Sequence, residues 1–167
     1  DFSIMKEFIN KQDRFLRELF VHFQISFTAV SFSIIIGVQL GIFLYKKKLL
    51  EKLMFPVLNI TQTIPNLALF GILMALLSSF GLKGIGWTPA VIALTVYAIL
   101  PIVRNTYTAF TTIESGVIEA GIGMGMNKFQ LLYKVQLPIS LPIILNGIRI
   151  SLVLTIGNTA VATLIGA

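Results

Sequence analysis

Charge is nearly absent over four long stretches of this chain. Residues 19–45, 53–82 and 84–103 contain no Asp, Glu, Lys or Arg, and residues 135–167 contain only Arg149. An apolar helix of roughly 20 residues crosses the hydrocarbon of a bilayer, so each stretch is long enough to span one. The composition agrees: 56% of the 167 residues are hydrophobic and 12% are charged, about half the charged share of an ordinary soluble domain. A soluble fold could not cover its core with so little polar surface. The sequence therefore reads as an all-α polytopic membrane protein with at least four spans.

The same residues exclude most chemistry. There is no cysteine, and His22 is the single histidine, so thiolate nucleophiles and Cys/His metal clusters are not expected. No GxxxxGK[ST] phosphate loop occurs, which leaves the chain no visible means of hydrolysing a nucleotide. No catalytic residue and no metal site are assigned. The net charge of +6 does not point to nucleic acid, because Lys46, Lys47, Lys48 and Lys52 follow an apolar span directly, the placement of a cytoplasmic membrane flank.

Residues 1–18 hold eight of the twenty charges, while Met5, Phe8, Ile9, Phe15 and Leu16 recur at helical spacing. This predicts an amphipathic interfacial helix, followed by a transmembrane domain over 19–167. The apolar stretch after it, 27 residues long, exceeds the core of a cleavable signal, so the first span is expected to be retained. Spans are predicted over about 20–44, 53–77 and 89–108, with a fourth of about 25 residues starting at Pro138. Gly81, Lys83, Gly84 and Gly86 form a loop before an interfacial Trp87. The polar segment 111–137 lies between the third and fourth spans. Counting lysine and arginine puts Lys46–48 and the segment 104–134 inside and Lys83 outside; the N-terminal basic residues, placed outside, run against the count.

The polar segment carries a spaced pattern: Glu119, Ala120, Gly121, three residues, Gly125, nine residues, then Val135, Gln136, Leu137 and Pro138. It resembles the Glu-Ala-Ala signature of membrane subunits of binding-protein-dependent ABC importers, with Gly121 in place of the second Ala and Val135 in place of Ile. Physically, a helix, a glycine that admits a partner's backbone, and a Leu-Pro step redirecting the chain into the last span would make a stiff knob on a transmembrane lever. A single helix over 119–134 is expected. The resemblance implies that Glu119, Ala120, Gly121, Gly125, Leu137 and Pro138 couple to a separate ATPase.

Residues 62–71, 100–108 and 157–167 are similar to permeases of the osmoprotectant class, which import glycine betaine, carnitine, choline and related quaternary amines. The likeness runs over roughly 15–167. It implies a type I ABC importer (MetI-like) transmembrane domain, working by alternating access with an ABC ATPase dimer, a second permease subunit and an extracytoplasmic substrate-binding protein or domain. ATP and Mg would sit on the ATPase, with no cofactor in this chain. Family chains continue past the equivalent of Ala167 with another span, so the last helix is expected to be missing here.

Inside the spans, Pro65 would free the Thr61 carbonyl, and Gln62, Thr63 and Asn66 crowd around it. These side chains, with Asn59 beside them, either line a pathway, as at the broken helices of transporters, or satisfy the kink's own backbone and the neighbouring helices. Gln62, Asn66, Asn158 and Thr159 are the candidate pathway-lining residues. Arg149 lies eleven residues past Pro138, about 16 Å along a helix, and must face protein or water. It is either a gate, an ion pair with a partner helix through Glu114 or Glu119, or a structural arginine bonded to backbone carbonyls. Gly37 and Gly41 form a GxxxG, read as packing within the subunit, and the aromatic residues as interface and packing. His22 is given no role.

Overall fold

A computed structural model describes residues 2–163. Asp1 and residues 164–167 lie outside the described residues, as do the side chains of Phe2, Ser3, Phe8, Asn10 and Asn66. The chain runs α1 (Phe2–Lys46), α2 (Lys48–Thr63), α3 (Asn66–Ser79), α4 (Trp87–Thr111), α5 (Ser115–Gly123), α6 (Lys128–Leu131), a π-helical turn (Leu132–Gln136) and α7 (Leu137–Ala162), with no strand among the described residues. Three columns are long and apolar enough to cross a membrane, Ile4–Lys46, Trp87–Thr111 and Lys128–Ala162, and a bent pair makes a fourth. The all-α reading is met, and the span count is three, or four where the bent pair is one span.

α4 is the axis of the bundle, buried on most of its circumference between α1 and α7. Small residues let the helices close on it. A Cβ on Gly37 would lie 2.9 Å from Ile102 Cγ2, one on Gly41 2.6 Å from Thr106 Cβ, and one on Gly147 2.9 Å from the Pro101 carbonyl. The GxxxG of the first span therefore packs inside the chain. Hydroxyls add interhelical bonds: Ser151 Oγ donates to the Ala98 carbonyl at 2.8 Å, and Ser33 Oγ reaches the Thr95 carbonyl at 3.1 Å. Each such bond in a bilayer contributes about 0.6 kcal/mol. One apolar cluster gathers Ile25, Ala29, Phe70, Leu94 and Tyr97; a second, toward the C-terminal end of α1, joins Phe110 and Ile144.

Two boundaries differ from the sequence reading. The separation at residue 18 is not a break: α1 is one helix of 45 residues, about 68 Å long at 1.5 Å per residue, roughly twice the hydrocarbon thickness. Neither Gly nor Pro occurs before Gly37, and Glu7–Lys11 (3.3 Å) and Arg14–Glu18 (2.9 Å) pair at i,i+4, so nothing interrupts propagation. Pro65 does more than kink the second span: α2 and the helix after it meet at 106°, with Ile64 and Pro65 both extended. Proline cannot supply the next helical N–H and biases its predecessor out of the α region.

α2 buries no residue. It is held to α4 by a line of polar and aromatic contacts: Glu51 with the Tyr107 hydroxyl, Phe55 against the Tyr107 ring at 5.2 Å, Asn59 Oδ1 accepting from Arg104, and Gln62 Nε2 donating to the Tyr97 carbonyl at 3.1 Å. The Tyr97 hydroxyl in turn donates to the Ile64 carbonyl at the break.

Candidate functional site

The polar segment after α4 folds into a compact knob. Glu114, extended, starts α5, and α5 ends where Gly125 takes φ +81, a left-handed conformation that costs a side-chain-bearing residue about 1 kcal/mol or more. The Met126 N–H returns to the Gly121 carbonyl at 3.1 Å and the Gly125 N–H to that of Ile122 at 2.9 Å, the Schellman closure of a helix end. Asn127 then opens α6 with a capping box: Gln130 N donates to Asn127 Oδ1, and Asn127 N donates to Gln130 Oε1, both at 2.9 Å. The expected single helix over 119–134 is thus two helices joined by a turn, because the glycine at 125 ends the first and the asparagine at 127 starts the second.

The Leu-Pro step also behaves differently from expectation. Lys128–Ala162 is one column, and Leu137–Pro138 does not redirect the chain; the redirection falls at Gly125. Pro138 cannot bond the Lys134 carbonyl, and the helix widens just before it, with the Leu137 N–H bonding the Leu132 carbonyl five residues back. A π turn of this kind absorbs a misfit without breaking the column.

The signature residues separate by position. Glu119 and Ala120 are exposed on α5, Gly121 is buried, Leu137 is half-buried and Pro138 exposed. A Cβ on Gly121 would lie 2.6 Å from Leu131 Cδ1 and 4.0 Å from Val135 Cγ2. The two departures from the signature therefore face each other across the knob, and Leu131 fills the space that the missing methyl leaves. Around them the knob exposes Ile122 (59%), Met124 (71%), Phe129 (74%) and Tyr133 (62%). Sequence reasoning did not single out these four. Their signal was present, since large apolar residues in a stretch too polar to enter lipid have no reason to be there except a partner.

Within the spans, Gln62, Tyr97, Leu154, Thr155 and Asn158 line a cleft of about 180 Å³, so the structure brings two of the four candidate lining residues together. Thr159 is not among them. It is fully buried, with Oγ1 2.7 Å from Ser26 Oγ and bonded to the Thr155 carbonyl. A small hydroxyl suits that α1–α7 seam, where His22 Nε2 also meets the Ile156 carbonyl at 2.9 Å; His22 thus has a structural part. Asn66's side chain lies outside the described residues. Arg149 is exposed, and among the described residues no hydrogen bond or ion pair reaches it, so it is not the carbonyl-bonded arginine of the structural reading. Among the described residues no group of His, Cys, Asp and Glu could hold a metal.

A bundle of this kind, with a broken span and a capped knob below it, has the fold of a type I ABC importer transmembrane domain. It is similar to the membrane chain in inward-facing structures of the MetNI methionine ABC transporter, with a TM-score of 0.81 and 28% identity over 92% of this chain and 74% of that one. The chain belongs to the family of binding-protein-dependent transport system inner membrane components, whose pattern matches residues 30–167. Among its relatives, the glycine betaine/carnitine/choline transport system permease protein OpuCD of Bacillus subtilis is 41% identical over 91% of this chain. The osmoprotectant import permease protein OsmW of Salmonella typhimurium is 44% identical over 89%. The chain spans 64% of the length of the first and 68% of the second.

Proposed function

We propose that the chain is the permease part of an ATP-driven importer that moves a betaine-type osmoprotectant or related quaternary amine across the cytoplasmic membrane by alternating access. One observation carries the coupling half of this reading. The signature segment is a doubly capped knob that exposes Ile122, Met124, Phe129 and Tyr133, a surface suited to insertion into a partner's groove. That partner is an ABC ATPase dimer, which holds the ATP and its Mg; this chain carries out no catalytic step. A second permease subunit completes the passage, and an extracytoplasmic binding protein or domain delivers the solute.

The substrate half rests on the relatives, which are named for glycine betaine, carnitine, choline and osmoprotectants. It is consistent with spans that hold no acidic residue between Glu51 and Glu114, since a betaine carries its own carboxylate and needs no counterion. The test is uptake by the full-length complex, reconstituted with its ATPase and binding partner, with glycine betaine, carnitine, choline and amino acids in competition. Preference for an amino acid without a quaternary nitrogen would overturn the substrate and leave the permease reading standing.

A further inference from the structure

Arg149 lies halfway along α7. It lies twelve residues from Leu137 and thirteen from Ala162, about 18 and 20 Å from the two ends of α7. Contacts with α4 fix the same level: Gly147 packs on the Pro101 carbonyl and Ser151 bonds that of Ala98, near the midpoint of Trp87–Thr111. Centred in a hydrocarbon core of about 30 Å, this level lies roughly 15 Å from either polar face.

At that depth Arg149 is exposed and unbonded among the described residues. α7 buries Ser140, Ile144, Gly147, Ser151 and Thr155 on one side; Asn146, Arg149, Val153 and Gly157 occupy the opposite, exposed side. Lipid is a costly neighbour for Arg149, since an intramembrane charge points to protein or water. Within residues 1–167 no carboxylate stands at this level to pair with it, since residues 52–113 and 120–167 contain no Asp or Glu. Glu51 and Glu114 lie at the cytoplasmic end, and the acids of α1 precede residue 19.

We infer that Arg149, with Asn146 one turn before it, lines the water-filled passage of the assembled permease and acts there as a fixed positive barrier to inorganic cations. The inference rests on the permease reading above. A cation channel through a transporter would dissipate the ion gradients of the cell each time the passage opens, and a pore-lining arginine repels such ions electrostatically. A zwitterion passes with little net penalty. A substrate that is a bare cation, such as choline, is slowed more than glycine betaine.

The full-length complex in proteoliposomes tests this, helped by the absence of native cysteine in this stretch. Arg149→Cys is expected to react with a membrane-impermeant, charged methanethiosulfonate, whereas Ser151→Cys on the packed face is not. Arg149→Gln should raise passive rubidium entry several-fold without ATP and increase choline uptake relative to glycine betaine, while Arg149→Lys keeps the parent's values. An unreactive Arg149→Cys in a complex that retains its ATPase, or a glutamine variant no leakier than the parent, overturns the assignment. If Arg149→Gln fails to assemble, the thiol result decides alone. ATP-driven betaine uptake by the parent is recorded alongside: its absence refutes the permease reading, and its presence confines the other results to Arg149.

Discussion

The Tyr97 carbonyl accepts the side-chain amide of Gln62 at 3.1 Å, and it is the carbonyl that residue 101 would have bonded were it not proline. Gln62, which the sequence left either lining a pathway or satisfying the kink and the neighbouring helices, thus serves the proline of the neighbouring helix. Replacing it with Leu leaves a buried carbonyl without a partner, a cost of about 1–3 kcal/mol. Gln62→Leu should lower the thermal midpoint of the purified complex and slow transport several-fold. Competitive uptake of glycine betaine, carnitine and choline should show the same order of preference as the parent; an altered order would make Gln62 a selecting residue.

The glycines facing α4 should divide from those facing open space. Gly41→Val places a branched side chain against Thr106 Cβ and the Val103 carbonyl, which a Cβ would already approach to 2.6 and 3.0 Å, and overpacking of this kind costs about 1–3 kcal/mol. Gly157 has nothing within 4 Å of a Cβ, so Gly157→Ala should be neutral or stabilise α7 by up to about 1 kcal/mol through helix propensity. Thermal unfolding in detergent, followed by size-exclusion, separates the two.

In the knob, Gly125→Ala is expected to lose about 1 kcal/mol or more to its left-handed φ of +81, and Asn127→Ala about 1 kcal/mol with its cap. Gly121→Ala should be mild, because the atom it meets is the mobile end of Leu131. ATPase activity stimulated by substrate, measured in the full complex, should fall for the first two and persist for the third.

Met126→Cys, at the half-buried corner of the turn, and Phe129→Cys, on its exposed flank, should crosslink to cysteines in the ATPase groove and resist impermeant reagents applied outside intact cells. Labelling from outside would reverse the topology. Phe129→Asp should reduce co-purification of the ATPase at least several-fold without changing the thermal midpoint of the permease, since 74% of Phe129 is exposed.

The uncharged windows made the long helices legible, because hydropathy over some 20 residues is a strong signal in a bilayer. The signature located the knob for a similar reason, its glycine and Leu-Pro falling at fixed spacing. Local geometry was harder to read. Whether Pro65 kinks or breaks a span depends on what takes the freed groups, and Tyr97, thirty-two residues on, does so at Ile64. Pro138 signals a helix start in sequence, yet a π turn carries the helix through it. Thr159 and Asn158 are adjacent and both polar, and only the α1 seam, with Ser26 and His22, decides that one is packed away while the other faces the cleft.

The unbroken column from Lys128 to Ala162 has a mechanical corollary. It packs tightly on α4 at Gly147, about 28 Å from Lys128 and about 22 Å from Ala162 at 1.5 Å per residue. A rigid rod rocking on that fulcrum behaves as a see-saw: when its cytoplasmic end swings one way its outer end swings the other, through a slightly shorter arc. One stroke delivered to Phe129 would then close one mouth of the passage and open the opposite one, with no separate signal travelling between them.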